Sequence, residues 1–245
     1  MTSDPLFTGP ELCGLEAHEI VTLLKAKEIS SADLIDAAVA RIDQTGPVIN
    51  ATPTLCEARA RAVDLSNQDT TPAGYLAGLP ITIKDLNAVA NVRTTFGTKG
   101  LADFIPQHND PLVDQLERQG AVILGKTNTP EFGAGGNTFN DVFGQTRNPW
   151  NTALNPGGSS GGAAASLAAG EIWLSHGSDH GGSLRTPAAY CGIVGLRPSP
   201  GIAGGPGQDT AFIIEGVQGP MARSVRDCAL FLDAMSGFDP QIAIS

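Results

Sequence analysis

Basic residues are scarce and scattered in this chain: 15 Lys and Arg face 25 Asp and Glu across 245 residues, a net charge of −10. Without a Lys or Arg cluster there is no electrostatic footprint for nucleic acid or an anionic membrane, so any RNA partner would have to be held mainly by another subunit. Cysteine is equally thin. Cys13, Cys56, Cys191 and Cys228 are widely spaced with no C-x-x-C pair, which suggests neither a zinc site nor a disulfide framework; reduced thiols in a cytoplasm are the expectation. Long apolar runs are missing too, since the most apolar window, 162–175, is broken by Gly170 and Glu171. The opening MTSDPLFTGPELCG has no basic region followed by an apolar core, so no secretory signal is expected. What is present, 41% hydrophobic and 16% charged residues, can bury a substantial core. With no internal repeat, low-complexity tail or clear linker, one soluble domain over 1–245 is expected.

From Glu16 onward, Ile20, Leu23 and Leu24 share a helical face; Ser30 or Ser31 then caps a second helix, whose stripe Leu34, Ile35, Ala38, Val39 and Ile42 runs to about Ile42. Residues 50–55 read as a short extended segment, 57 to about 65 as an Ala- and Arg-rich helix, and 67–74 as a surface loop. The β-branched Ile81, Thr82 and Ile83 predict a strand that leads directly into Lys84 and Asp85. Asp110 before Pro111 is a helix start, Gly120 a stop, and AVILG at 121–125 a buried strand. Strand, helix and strand in succession imply an α/β fold with a largely parallel sheet covered by helices. Residues 127–156 have little periodicity, and Phe132, Phe139, Phe143 and Trp150 predict an ordered loop packed near the glycine-rich centre. Beyond that centre, 198–207 reads as loop and 215–221 as the approach to a last helix, capped by Ser224, with Val225, Cys228, Ala229, Phe231, Leu232 and Met235 at its apolar positions.

The centre itself is 157–198, where two glycine-serine turns, GGSSGG at 157–162 and DHGGS at 179–183, flank a small-residue helix and a short apolar strand. Glycines there permit tight turns and leave main-chain N–H groups unobstructed. Three chemistries compete for these residues. Gly158 to Gly162 is formally G-x-S-x-G with Ser160 central, but a nucleophile elbow needs a histidine well downstream, and only His176 and His180 follow, both too near. His176 and His180 with Asp179 have an i, i+4 spacing that would hold zinc on a helix, yet Gly177, Gly181 and Gly182 disfavour a helix and no third ligand is evident. The third is a serine nucleophile activated by a desolvated lysine: Lys84 as base, Ser159 or Ser160 as relay, and Ser183 beside open glycine N–H groups. A surface lysine at a strand end and a flexible turn remain the ordinary readings of the same residues.

The GGSSGG segment, the D-x-GGS-x-R-x-P run at 179–187 and the CG-x-x-G-L-R-P run at 191–198 together resemble the amidase signature family. The similarity extends to the I-x-x-KD strand at 81–85, GKTN-x-x-EF at 125–132, NPW at 148–150 and EGVQGPMARSV at 215–225, so it covers nearly the whole chain. The resemblance implies the mixed, mostly parallel twisted sheet of that family and a Ser-cisSer-Lys triad. Ser183 falls at the acyl-forming nucleophile, Ser159 at the relay after a cis Gly158–Ser159 bond, and Lys84 at the base. It also implies an oxyanion hole from main-chain N–H groups around His180, Gly181, Gly182 and Ser183, with Asp179 and Arg185 as scaffold and Ser160 and Ser178 in support. The implied reaction is hydrolysis of a carboxamide to an acid and ammonia or an amine, on a small-molecule amide substrate, with neither metal nor organic cofactor. Two other readings stand beside it: the amidase-type subunit of an aminoacyl-tRNA amidotransferase, which releases ammonia from glutamine, and a non-catalytic protein that binds a partner. His180 stands where threonine or isoleucine is common, and Ser178 where threonine is usual. Family members usually continue for about as long again, so a fragment, a shifted-frame product or half of a split enzyme is expected, with a second copy or a C-terminal half as partner.

Overall fold

A computed structural model of the chain describes residues 9–204 and 214–238. The first eight residues read for a leader, residues 205–207 of the expected loop and the last seven residues lie outside them. The N-terminal helices are α1 (Glu11–Gly14), α2 (Ala17–Lys25) and α3 (Ser31–Ile49). Reciprocal side-chain caps open both longer ones, Glu16 with Glu19 for α2 and Ser30 with Asp33 for α3. The sequence predicts an end to α3 near Ile42, but the helix runs on through Gly46 and Pro47 and is closed by left-handed Asn50. Burial explains the extra turns. Ile42 and Ile49, seven residues apart on one face, are both buried, and Ile49 joins Ala51, Ala165 and Ala169 in a separate apolar cluster. Burying that end offsets the hydrogen bond that Pro47 cannot donate.

Next come β1 (Thr54–Leu55), α4 (Glu57–Arg61), β2 (Pro80–Lys84), α5 (Pro111–Arg118) and β3 (Val122–Thr127). α4 is shorter than its pattern predicts. Asp110 caps α5 by accepting from the Leu112 N–H at 3.0 Å, ahead of Pro111. A small hairpin, β4 (Phe139–Asn140) and β5 (Gly144–Gln145), is followed by α6 (Gly161–Ala168), β6 (Leu174–Asp179), α7 (Arg185–Cys191), β7 (Val194–Gly195), β8 (Val217–Ala222) and α8 (Val225–Met235). The six-stranded sheet has the order β1-β3-β2-β6-β8-β7. β3, β2 and β6 are mutually parallel, β8 is antiparallel to β6, and β7 is antiparallel to β8, so four of the six strands point the same way. That is the mixed, mostly parallel sheet expected. No helix among the described residues is long and apolar enough to cross a membrane.

Three expectations are corrected. Residues 215–221 do not simply approach a helix: they supply β8, fully buried and paired with β6 along its length from Leu174↔Ala222 to Asp179↔Val217. Gly219 and Pro220 disguise it as a turn, but α6 and α8 both pack on it, and that burial decides the conformation. Val225, taken as apolar core, is 74% exposed, because the buried face of α8 comprises Cys228, Phe231, Ala234 and Met235. The loop 127–156 is ordered, but not by its aromatics: Phe132, Phe139 and Trp150 are exposed. Amide side chains hold it. Asn140 Nδ2 donates to Asn128 Oδ1 and to Thr129 O, each at 2.7 Å, and Asn128 Nδ2 reaches Thr146 Oγ1 at 3.0 Å.

Helix α6 lies directly on the sheet because its first residues lack bulk. A Cβ on Gly162 would overlap the Asn128 nitrogen and lie 2.6 Å from the Asn128 oxygen and 2.8 Å from Ala51 O, all main-chain atoms that cannot swing aside. Gly→Ala in a helix ordinarily stabilises by about 1 kcal/mol. Here the sign should invert, with Gly162→Ala lowering stability by about 1–3 kcal/mol in chemical denaturation.

Candidate active site

Strand alternation and the parallel β2–β6 pair bring Lys84 and Asp179 to the same edge of the sheet, where the chain leaves each strand. The GGSSGG turn enters that edge from the side. Its Gly158–Ser159 peptide is cis, and Gly158 is pressed against 135–137 so closely that a Cβ would lie 2.9 Å from Asn137 N and Gly135 O. Thr138 clamps the turn, its hydroxyl donating to Gly157 O at 2.9 Å and accepting from the Gly161 N–H at 3.1 Å.

Lys84 is fully buried. Its Nζ lies 2.7 Å from Ser159 Oγ, 2.9 Å from Ser160 Oγ and 3.1 Å from Ser178 Oγ. None of these partners is a carboxylate. Burial pulls the amine down from its ordinary 10.5 to about 7, against the opposing charge of Asp179 nearby. The two serines of the turn are not equivalent. Ser160 Oγ donates to Ser178 O at 3.2 Å and accepts the Ser178 N–H at 3.3 Å, so its own proton is committed. The Ser159 hydroxyl has only Lys84 as partner among the described residues.

Ser183 sits on the second turn, half-buried, with its carbonyl accepting the Ser160 N–H at 3.3 Å, which ties the two turns together. Its hydroxyl has no hydrogen-bond partner among the described residues. Asp179 organises the turn. Its carboxylate accepts from the Gly182 N–H at 2.7 Å, the Leu184 N–H at 3.1 Å and both edges of the Arg185 guanidinium at 3.0 and 3.1 Å, with Arg197 at 3.2 Å. Burial alone would raise its pKa, but Arg185 and the two amides outweigh burial and hold it well below the usual carboxylate range. One correction follows for the expected oxyanion donors. The Gly182 N–H is already committed to Asp179, whereas the N–H groups of His180, Gly181 and Ser183 have no partner among the described residues. Gly181 is also open, with nothing within 4 Å of a Cβ built on it.

The histidines separate. His176 is buried within β6, and His180 lies exposed beyond its end, so they do not share a helical face. Among the described residues, no group of three or more His, Cys, Asp or Glu is placed to hold a metal ion. Sequence reasoning gave no role to Lys126, which stands one strand away in β3 and is also fully buried. Its Nζ binds Asp85 Oδ1 at 3.1 Å, Asn87 O at 2.8 Å and Thr94 Oγ1 at 2.9 Å. The signal available was its place in an otherwise apolar strand, VILGKT.

A sequence model of the family described as Amidase matches residues 33–245. This chain belongs to the amidase signature family. Among curated amidase relatives it is similar to a glutamyl-tRNA(Gln) amidotransferase subunit from Carboxydothermus hydrogenoformans, 45% identical over 240 residues, covering 96% of this chain and 49% of that one. Among solved amidase structures, a bacterial aryl acylamidase superposes with a TM-score of 0.86 at 36% identity, over 94% of this chain and 49% of the other. A 6-aminohexanoate cyclic dimer hydrolase does so with a TM-score of 0.84 at 34% identity, over 96% and 48%. The chain therefore spans about half the length of the amidases it matches.

Proposed function

We propose that this chain carries the Ser183–Ser159–Lys84 centre of an amidase, which cleaves a carboxamide through an acyl-enzyme on Ser183. The observation that carries the reading is the fully buried Lys84 amine, whose hydrogen-bond partners among the described residues are all hydroxyls. A neutral amine has two protons and one lone pair. With the Ser160 proton held by Ser178 O, the two N–H groups serve Ser160 and Ser178, and the lone pair faces Ser159. Ser159 then donates to Lys84 and leaves its own oxygen to receive the Ser183 proton. As Ser183 Oγ attacks the amide carbon, one proton moves from Ser183 to Ser159 and another from Ser159 to Lys84. The N–H groups of His180, Gly181 and Ser183 receive the developing oxyanion. The relay then runs in reverse, protonating the leaving ammonia or amine as the C–N bond breaks. Water attacks the ester by the same path and releases the acid.

A second reading is favoured by the 45% identity to an amidotransferase component. It keeps the same acyl-enzyme, with glutamine as amide donor and the ammonia delivered to a partner protein rather than to water. Fluorophosphonate labelling followed by peptide mapping tests the shared step: label is expected on Ser183 and none in Ser183→Ala. Ammonia release from glutamine that rises on adding partner subunits would select the second reading, and release from simple aryl or alkyl amides the first. A folded chain that takes no label would favour a non-catalytic, partner-binding protein instead.

A further inference from the structure

The sheet opens at one point. β2 pairs with β6 only at Ile81↔Leu174 and Thr82↔Ser175, although β2 stays paired with β3 as far as Lys84↔Thr127 and β6 with β8 as far as Asp179↔Val217. Amides of a central parallel strand alternate between its neighbours. The Asp85 N–H goes to Thr127 O in β3 at 3.0 Å, so the Lys84 N–H falls to the β6 side. There it meets no main-chain carbonyl. It donates instead to the imidazole Nδ1 of His176, at 3.4 Å, from a ring that is fully buried. His176 and Ser178 are two apart in β6 and share a face, so Lys84 is held twice by that face: its main chain by the imidazole and its Nζ by the Ser178 hydroxyl.

We propose that His176 is a positioning residue for Lys84: its side chain replaces a main-chain acceptor where β2 parts from β6, and so fixes the strand end from which the amine reaches Ser159. The proposal rests on the reading of Lys84 as the base. An acceptor at Nδ1 puts the ring proton on Nε2, a buried atom beside Gln218 that closes no well-formed hydrogen bond. The charged groups acting on the ring are Lys84 from β2 and Lys126 from β3, with Gln218 from β8 as its polar neighbour. Burial first, then those two cations, press its pKa down to about 3, with Gln218 opposing, so the acceptor persists throughout the range in which Lys84 titrates.

Two variants test this. His176→Phe keeps a ring and removes the acceptor; His176→Asn is smaller and keeps an acceptor oxygen close to the Nδ1 position. Both are first checked for folding by circular dichroism. In His176→Phe, labelling of Ser183 at neutral pH should slow about tenfold. Its rising limb should move about one unit to higher pH, because a loosened Lys84 regains solvent. The Lys84 main-chain amide should also lose protection in hydrogen exchange, and His176→Asn should restore most of all three. Wild-type rate and limb in His176→Phe would overturn the proposal, as would equal slowing in both variants with the limb unmoved, since the ring would then only fill space. If wild-type Ser183 takes no label, the catalytic reading has failed separately, and exchange alone decides about His176: protection lost in Phe and regained in Asn supports it, and unchanged protection overturns it.

Discussion

Lys84→Met should slow fluorophosphonate labelling of Ser183 by about a thousandfold, the scale on which a positioned general base acts. Met matches the length of the lysine stem and fills its buried channel, so the loss reports the amine and not a cavity. The pH profile separates the base from mere packing. Wild-type labelling should climb between about pH 6 and 8, with a midpoint set by an amine whose pKa burial has brought down to about 7. The residual rate of the variant should lack that limb. Stability carries the same signature with a definite sign. The unfolded chain holds the lysine proton up to about 10.5 and the folded chain only up to about 7, so folding expels a proton between those values. The contribution of Lys84 to stability therefore rises with pH across that window and is flat below it, a slope that Lys84→Met removes. A wild-type labelling rate that is flat from about pH 6 to 9 would rule out Lys84 as the base.

Much of this centre was legible because it is written in short contiguous runs. GGSSGG and DHGGS each place their glycines and serines within a single turn, where local conformation decides the geometry. Lys84 was legible as the last residue of a β-branched run. What escaped depends on contacts distant in sequence. Choosing Ser159 over Ser160 as relay from residue types alone was not possible, since the difference is a proton committed to Ser178 O across the sheet. The Gly182 N–H looked as open as its neighbours until Asp179, three residues earlier, turned back to accept it. β8 was hidden by Gly219 and Pro220, which are turn formers locally and strand residues only because both faces are covered. Phe132, Phe139 and Trp150 misled in the other direction: aromatic residues suggested a packed loop, whereas buried asparagines order it.

Lys126→Met should be the most destabilising of these single substitutions, lowering unfolding free energy by about 3–5 kcal/mol, because it strands the Asp85 carboxylate in the core. Both side chains are essentially without solvent contact, and the pair closes at 3.1 Å. Burial lowers the pKa of Lys126, and the charge of Asp85 works against that loss. The carboxylate would keep the Thr95 N–H and hydroxyl, the latter at 2.6 Å, but no cation. Adding Asp85→Asn to Lys126→Met removes the uncompensated charge and leaves an amide oxygen for Thr95, so the double variant should recover about half of the loss. Asp85 directly follows Lys84, and its N–H bonds Thr127 O in β3, beside Lys126. The ion pair therefore pins the same strand end that presents the catalytic amine. Denaturant midpoints measured alongside labelling rates would test that link: slow labelling in the double variant after its stability returns would show that Lys126 aligns Lys84 as well as stabilising the sheet. Recovery of both together would confine Lys126 to stability.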